Sequence, residues 1–326
     1  GRPPRSTLFP YTTLFRSLMS ELRLTASFGD YSHTRALKNG TCSSPRIEFE
    51  HVHVSPVTSI FRRMVREYEF DLSEMALSTY LCARHHGKKF SGIPIFLTRS
   101  FYHGGISYNI KSGIQSVDDL NGKRIGVRGY TVTPGVWTRG MLQTVHGIDL
   151  SSITWVLSGD EHVEEYVAPK NVLSSQNSNL NEMLESGEID AAIGAGISDN
   201  TDIRPLFDDP YELDRDWFEN TGIYPISHMV VLKDDQLDQN PWVAQEVFNL
   251  FLKSKEECVS RLKAGVQLYP EDEWLISLSG IVGPDPIPYG LDSSIGTLET
   301  FINFNVEQQV IPEIVGVNDI FIPVHQ

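Results

Sequence analysis

Apolar and polar positions alternate early in the chain in a way that predicts β-strands. Residues 22–26 and 47–52 both show a two-residue period, which places one face of each strand in a core. Residues 57–68 carry apolar positions near a 3.6-residue period and are predicted to be helical. A short strand at 70–72 is predicted to lead directly into a helix, with Ser73 as its N-cap.

Strands and helices then alternate along most of the remaining chain. The predicted strands are 93–97, 105–108, 124–127, 153–157, 189–193 and 227–232, and the predicted helices are 134–146, 180–185, 241–264 and 295–304, with one capped helical turn at 116–122. The region after residue 265 is rich in Pro and Gly, and the helix at 295–304 is the one predicted there. This alternation indicates an α/β fold with mostly parallel sheets.

The length of 326 residues favours two lobes, because single hydrophobic cores stop growing at roughly 250–300 residues. We expect a discontinuous first lobe, formed by residues 18–110 and 226–326, and a second lobe formed by residues 111–225. The chain is expected to cross between the lobes near 108–112 and near 224–227. Ligands of open α/β sheets bind beyond the carboxyl ends of the strands, so two facing lobes predict a ligand cleft between them.

The first 17 residues, GRPPRSTLFPYTTLFRS, show neither the two-residue period of a strand nor the 3.6-residue period of a helix, and they repeat the unit TLF. We interpret them as a translated adapter or cloning artefact and expect them to be poorly ordered. A signal peptide would need an uninterrupted apolar core, and Pro10, Thr12, Thr13 and Arg16 interrupt this one.

Charge and cysteine content narrow the functional classes. The formal net charge of −15 argues against binding to nucleic acid or to an anionic membrane surface, so any anion site must be a local cluster of Arg and His. Cys42, Cys82 and Cys258 show no spacing of a metal cluster or a disulfide framework. A reducing cytosol fits this cysteine content, so we expect a cytoplasmic protein. No apolar run is long enough to span a bilayer. The sequence leaves open whether it forms a homo-oligomer.

Several runs of sequence resemble known proteins. The runs FDLSEMALSTYL (70–81) and SVDDLNGKRIGV (116–127) are similar to segments of solute-binding proteins with the two-lobed type II periplasmic-binding-protein-like fold. A narrower resemblance, to the 4,5-dihydroxyphthalate decarboxylase family, extends from about residue 22 to about residue 232. It rests on RSFYH (99–103), VRGYTVT (127–133), LSGDEH (157–162), and Gly29-Asp30-Tyr31 ahead of Thr34 and Arg35.

This resemblance implies a carboxy-lyase that converts 4,5-dihydroxyphthalate, or a related hydroxylated aromatic carboxylate, to protocatechuate and carbon dioxide. It implies no organic cofactor. Two alternatives remain open at this point. The chain could be a non-catalytic solute-binding protein for a small organic anion, or an enzyme of the same fold, such as those of the menaquinone pathway, that acts on another small carboxylate.

Decarboxylation of an aromatic ring needs a general acid that protonates the ring carbon bearing the leaving carboxylate. We predict His103 and His162 for proton handling, because each follows a predicted strand. Asp160 and Glu161 are candidates for the catechol protons, and they are expected to raise the pKa of His162 and to fix its tautomer. A divalent metal at these four residues is a minority alternative, because their spacing matches no strong zinc signature.

The reaction also needs cations for the carboxylate that the product retains, and Arg binds carboxylates bidentately. Arg128 is the preferred candidate, because it lies in the loop before the helix at 134–146, where backbone N–H groups favour an anion. Tyr130, Thr131 and Thr133 would add hydroxyl donors.

The remaining binding candidates lie near other strand ends. Arg35 and Arg99 could each belong instead to a structural ion pair, and Glu74 could simply satisfy the first turn of its predicted helix. The further substrate-binding candidates are Arg99, Arg35, Asp30, Tyr31, Glu74, Ser78 and His228. We expect residues 99–103, 128–133 and 159–162 to converge on one pocket.

Overall fold

The computed structural model describes residues 22–196, 198–266 and 268–325, and the predicted adapter segment lies outside them. The described strands are β1 (Leu22–Ser27), β2 (Ile47–His51), β3 (Leu72–Ala76), β4 (Phe90–Arg99), β5 (Ile106–Asn109), β6 (Arg124–Val127), β7 (Thr154–Leu157), β8 (Val172–Ser174), β9 (Ala191–Ile193), β10 (Ile203–Pro205) and β11 (Ile226–Lys233). The described helices are α1 (Arg35–Lys38), α2 (Thr58–Glu67), α3 (Leu77–His85), α4 (Thr133–His146), α5 (Leu180–Ser186), α6 (Pro210–Thr221), α7 (Asp234–Gln239), α8 (Val243–Ala264), α9 (Asp272–Val282), α10 (Ile295–Glu307) and α11 (Val317–Ile320).

The strands form two sheets. The first has the order β2-β1-β3-β11-β4, and β11 runs antiparallel to both of its neighbours. The second has the order β10-β5-β9-β6-β7-β8, with β9, β6, β7 and β8 parallel to one another. The carboxyl ends of the parallel strands in each sheet therefore lie at one edge, where ligand sites of such folds occur.

The chain passes from the first sheet to the second between Arg99 and Ile106, earlier than the expected 108–112. Tyr108 is already paired with Ala191 in the second sheet, so it cannot belong to the crossing. The return runs from residue 206 to 225 and includes α6. The domain bounds 18–110, 111–225 and 226–326 stay predictions.

Residues 72–76 form a central strand, so the prediction that Ser73 begins a helix is wrong. All five residues of β3 are buried between β1 and β11, and a strand buried on both faces shows no apolar–polar alternation. The helix begins only at Leu77. Glu74 therefore lies inside the sheet, whereas Ser78 does occupy the first helical turn.

Five of the described helices were not predicted, namely α1, α6, α7, α9 and α11, and the longest of these are α6 and α9. α6 has no buried residue, so its apolar stripe is weak. α9 lies in the region after 265 that its Pro and Gly content suggested to be irregular. Composition alone is a poor guide where a helix uses only a few core contacts.

The packing of α4 ties the second sheet to the first. The Trp137 ring stacks on Phe301 with centroids 4.6 Å apart, and its Nε1 donates to the Ile226 carbonyl at 2.9 Å. A Cβ on Gly140 would lie 2.2 Å from the Phe304 ring, so only glycine allows α4 and α10 this close together. Within the described ranges, no helix has both the length and the apolar character that a membrane crossing requires.

Candidate functional site

The loop after β7 lies against α2, where two arginines hold it. Arg66 donates to the carbonyl of Glu161 at 2.8 Å and to that of His162 at 3.2 Å. Arg62 and Arg66 both pair with the Asp160 carboxylate. Although partial burial raises its pKa, the hydrogen bond from Arg62 keeps the pKa of Asp160 below its ordinary value. Asp160 is thus an ion-paired surface carboxylate in this structure.

Glu161 binds the loop that follows β6. It accepts hydrogen bonds from the backbone N–H groups of Tyr130 and Thr131, the latter at 3.1 Å, and from the Thr131 hydroxyl at 2.5 Å. These N–H groups were expected to hold the substrate carboxylate, and a carboxylate of the protein occupies them instead. A Cβ on Gly159 would lie 3.1 Å from the Arg128 carbonyl oxygen, so glycine permits the close contact of the two loops.

Arg128 and His162 meet at this contact. Arg128 Nη1 lies 3.3 Å from His162 Nε2, and His162 Nδ1 lies 3.1 Å from the Thr79 hydroxyl. Because a guanidinium can only donate, Nε2 accepts the hydrogen bond and Nδ1 carries the proton.

Burial first, and the charge of Arg128 second, lower the pKa of His162 to about 3. The prediction that Asp160 and Glu161 raise the pKa of His162 is wrong. The Asp160 carboxylate faces Arg62, and the Glu161 carboxylate faces the loop after β6. His162 is therefore neutral at neutral pH.

Arg128 is half-buried, and none of the ion pairs among the described residues includes it. The neighbouring Arg62 and Arg66 are paired with Asp160, so of these three guanidiniums that of Arg128 has no carboxylate partner among the described residues. Its guanidinium remains available for a carboxylate ligand.

A second cluster lies at the edge of the first sheet. Glu74 is fully buried and accepts hydrogen bonds from Gly29 N–H at 2.7 Å, from the Tyr31 hydroxyl at 2.6 Å and from His228 Nδ1 at 2.6 Å. Burial, together with the adjacent Glu74 charge, raises the pKa of Tyr31 well above its ordinary value, so Tyr31 stays protonated and continues to donate. Three donors thus compensate the one buried carboxylate.

Phe61 of α2 joins the two clusters. Its ring centroid lies 4.9 Å from that of His228 and 5.7 Å from that of His162, in both cases edge to face. Phe61 and Thr79 were not predicted as site residues, because in sequence both read as ordinary apolar or helical positions.

The first turns of α3 and α4 also touch. Ser78 N–H donates to the Thr133 hydroxyl at 3.0 Å, and the Ser78 hydroxyl donates to Asn305 Oδ1 at 2.7 Å. The Tyr130 ring lies under the buried guanidinium of Arg139, 4.0 Å from it. Ser78, Thr133 and Tyr130 were predicted to contact substrate, but in the structure their side chains contact other groups of the protein.

His103 lies elsewhere. Its Nδ1 is 2.6 Å from Asp214 Oδ1, and its ring packs near His146, with centroids 6.2 Å apart. His146 ends α4, whereas Arg128 precedes the start of that helix, and about 20 Å of helix separates the two ends. The structure thus brings residues 128–133 and 158–162 together and leaves His103 outside this group. Asp214 was missed, because the helix that carries it was missed.

Two of the predicted arginines have structural partners. Arg99 is fully buried and donates to the carbonyls of Tyr224 and Pro288 and to the Ser294 hydroxyl, and burial lowers its pKa to about 10. Arg35 pairs with Glu271. The alternative interpretation of both, as structural residues, therefore fits their contacts.

Asp30 is exposed and pairs with Lys38. That hydrogen bond keeps its pKa below the ordinary value. Its carboxylate therefore belongs to a surface ion pair rather than to either cluster.

The arrangement of possible metal ligands also differs from the minority alternative of a divalent metal site. Among the described residues, no group of three or more His, Cys, Asp or Glu is arranged to hold a metal ion. The four residues of the minority alternative are divided, since His103 bonds Asp214 while His162 bonds Thr79.

Solved structures with the same fold include two sulfonate-binding proteins. The periplasmic aliphatic sulphonate binding protein of Escherichia coli aligns with a TM-score of 0.52 over 94% of both chains at 14% identity. The alkanesulfonate-binding protein of Xanthomonas axonopodis pv. citri, bound to MOPS, aligns with a TM-score of 0.52 over 93% of this chain and 99% of that one, at 14% identity. The predicted two-lobed periplasmic-binding-protein-like fold is confirmed.

A comparison with family models finds no match. Two curated relatives are both named 4,5-dihydroxyphthalate decarboxylase. The protein of Comamonas testosteroni is 28% identical over 302 residues, which are 87% of this chain and 91% of that protein. The protein of Pseudomonas putida is 32% identical over 215 residues, which are 62% of this chain and 83% of that protein. The chain therefore belongs to the 4,5-dihydroxyphthalate decarboxylase family.

Proposed function

We propose that this protein is a carboxy-lyase that decarboxylates 4,5-dihydroxyphthalate, or a closely related hydroxylated aromatic dicarboxylate, to protocatechuate and carbon dioxide. The names of the two relatives support this choice of substrate. The structural observation behind it is Arg128, a half-buried guanidinium that no ion pair of the described residues includes and that lies 3.3 Å from His162.

In this proposal Arg128 binds the carboxylate that the product retains. Neutral His162 accepts a hydrogen bond from one arm of the guanidinium and holds it in place, while Thr79 holds His162. The departing carboxylate lies away from Arg128, because a strong interaction with a charge that disappears would stabilise the ground state more than the transition state.

The ring hydroxyls belong to the chemistry rather than to recognition alone. A hydroxyl para to the leaving group donates electron density when the ring carbon is protonated. The reaction as proposed uses no organic cofactor. The proposal includes a cytoplasmic location, since Cys42, Cys82 and Cys258 are free thiols, which suit a reducing compartment.

The alternative from another class is a binding protein for small organic anions that performs no chemistry. The sulfonate-binding proteins of the same fold support it. Arg128 would serve such a protein equally well, so only turnover separates the two functions.

The test is to incubate the purified protein with 4,5-dihydroxyphthalate, follow protocatechuate by chromatography and carbon dioxide by a coupled assay, and measure binding by calorimetry. Phthalate, which lacks both hydroxyls, is the matched control, and we expect it to bind without reacting. Preincubation with a metal chelator should leave the rate unchanged. Binding of 4,5-dihydroxyphthalate without product would favour the binding protein. Neither binding nor turnover would point to an enzyme for another small carboxylate.

A further inference from the structure

The proposed decarboxylation requires a proton donor beside the ring carbon that loses its carboxylate, and the two histidines predicted for this role are poorly suited. His162 is neutral, and its remaining proton points to Thr79. His103 has an equivalent contact from Nδ1 to Asp214, but its ring packs near His146 in the last turn of α4, and among the described residues no contact joins it to Arg128 or His162. The structure offers another histidine near Arg128.

His228 lies at the edge where the lobes face each other. It occupies the start of β11, opposite Ala76 at the carboxyl end of β3. Its ring packs edge to face against Phe61, and His162 packs on that same phenyl ring. Phe61 therefore separates His228, which belongs to the first sheet, from His162, which follows a strand of the second sheet, with ring centroids 4.9 and 5.7 Å from the phenyl ring. A flat aromatic ligand held by Arg128 between the two sheets could reach both histidines.

The two nitrogens of His228 have different surroundings. Nδ1 is bonded to Glu74, whereas Nε2 makes no hydrogen bond within the described part of the chain. The side chain is 17% exposed, while that of Glu74 is fully buried. The imidazole is thus fixed from behind by a carboxylate and has its other nitrogen directed away from that carboxylate.

Glu74 is itself held in one orientation. Gly29 N–H binds one of its oxygens, and the Tyr31 hydroxyl shares the other with His228. A buried carboxylate in this position keeps the imidazole ring from rotating.

We infer that His228 is the catalytic proton donor of the decarboxylation and that Glu74 is its positioning residue; this inference rests on the proposed function. Protonated His228 gives the Nε2 proton to the ring carbon that bears the departing carboxylate, so an N–H bond breaks and a C–H bond forms. The ring becomes a cation stabilised by the para hydroxyl. The carbon–carbon bond to the carboxylate then breaks, its electron pair restores aromaticity, and carbon dioxide leaves. His228 ends neutral and regains a proton from water.

The first test replaces His228 by Gln and follows 4,5-dihydroxyphthalate turnover. Loss of a general acid should lower kcat by roughly 10²–10⁴-fold. Binding of phthalate, measured by calorimetry, should change less than about threefold, because Arg128 is intact. His85→Gln is the matched control: His85 is exposed at the end of α3, and the variant should keep the kcat of the unaltered protein.

Glu74→Gln tests the positioning role by separating kcat from binding. The amide keeps the size of the side chain but removes the carboxylate that accepts the hydrogen bond from His228 Nδ1. We expect kcat to fall about tenfold or more, whereas the dissociation constant of phthalate should change less than about threefold. Glu74→Asp, which keeps a carboxylate, should retain more of the kcat than Glu74→Gln does. A purely structural role would weaken phthalate binding along with kcat.

The outcomes separate the inference from the function it rests on. Full kcat in His228→Gln, with turnover by the unaltered protein, would overturn the inference alone. No turnover by the unaltered protein would overturn both. If Glu74→Gln proves unstable, the comparison of His228→Gln with His228→Asn still tests whether His228 is the proton donor. Neither amide can act as an acid, so we expect the same loss of kcat in both variants.

Discussion

Removing the guanidinium of Arg128 should weaken substrate binding with little effect on folding. In the folded chain the recorded hydrogen bond of this side chain is the 3.3 Å contact with neutral His162. The donor is a charged guanidinium, and a hydrogen bond to a charged group contributes about 1.5–3 kcal/mol. At 3.3 Å and with the guanidinium half-exposed, this hydrogen bond lies at the low end of that range, so Arg128→Ala should lower the free energy of unfolding by about 1.5 kcal/mol or less.

The effect on binding should be larger. A hydrogen bond to a charged group contributes about 1.5–3 kcal/mol, and a bidentate pair with carboxylate contributes two in a half-buried setting. Allowing for non-additivity, a loss of about 2–3 kcal/mol corresponds to a KM that rises about 30- to 150-fold. kcat should change much less, because Arg128 binds the carboxylate that stays on the product.

Steady-state kinetics with 4,5-dihydroxyphthalate and urea unfolding measure the two effects. Arg124→Ala is the matched control, since Arg124 begins the same strand and is exposed. Arg128→Lys keeps the charge but loses the fork, so its KM should lie between those of the two alanine variants. An unchanged KM in Arg128→Ala, or a loss confined to kcat, would refute the assignment of Arg128 to the retained carboxylate.

Three further predictions concern the loops that position Arg128. Glu161→Ala removes the acceptor for two backbone N–H groups and one hydroxyl, so the free energy of unfolding, measured by urea titration, should fall by about 2–4 kcal/mol. The control Glu164→Ala, at an exposed position, should change it by less than about 0.5 kcal/mol, and equal effects would contradict the role of Glu161. His162 has a pKa of about 3 when folded, against about 6.5 when unfolded, so its contribution to stability is complete above pH 6.5 and is lost as the pH falls toward 3. His162→Gln should therefore reduce the slope of unfolding free energy against pH between pH 4 and 6 by at most about 1.4 kcal/mol per pH unit. An unaltered slope would count against a buried neutral imidazole. Gly159→Ala places a methyl group 3.1 Å from the Arg128 carbonyl oxygen, so the loops after β6 and β7 must separate. KM should rise about three- to tenfold, or roughly 1 kcal/mol, at nearly constant stability. A KM equal to that of the unaltered protein would show that the contact tolerates the shift.

Much of the fold could be predicted from local sequence. The amphipathic period of 57–68 and the strand–helix order of 124–146 were sufficient, because the spacing of their apolar residues follows directly from which face meets a core. The same order placed Arg128 and His162 beyond neighbouring strand ends, and therefore close together. Residues 72–76 show the limit of this reasoning, since a strand buried on both faces has a pattern that a helix can share.

The sequence by itself thus determined the two-lobed fold and the positions of Arg128 and His162 at strand ends, since apolar periodicity acts over a few residues. Only the tertiary structure decided which groups pair. Glu74 and His228 are 154 residues apart, and Asp214 is 111 residues from His103. Whether an acidic side chain faces a histidine, an arginine or a backbone N–H depends on which elements pack beside it, and burial then sets the charge of each group. For this reason the expected increase in the His162 pKa became a decrease.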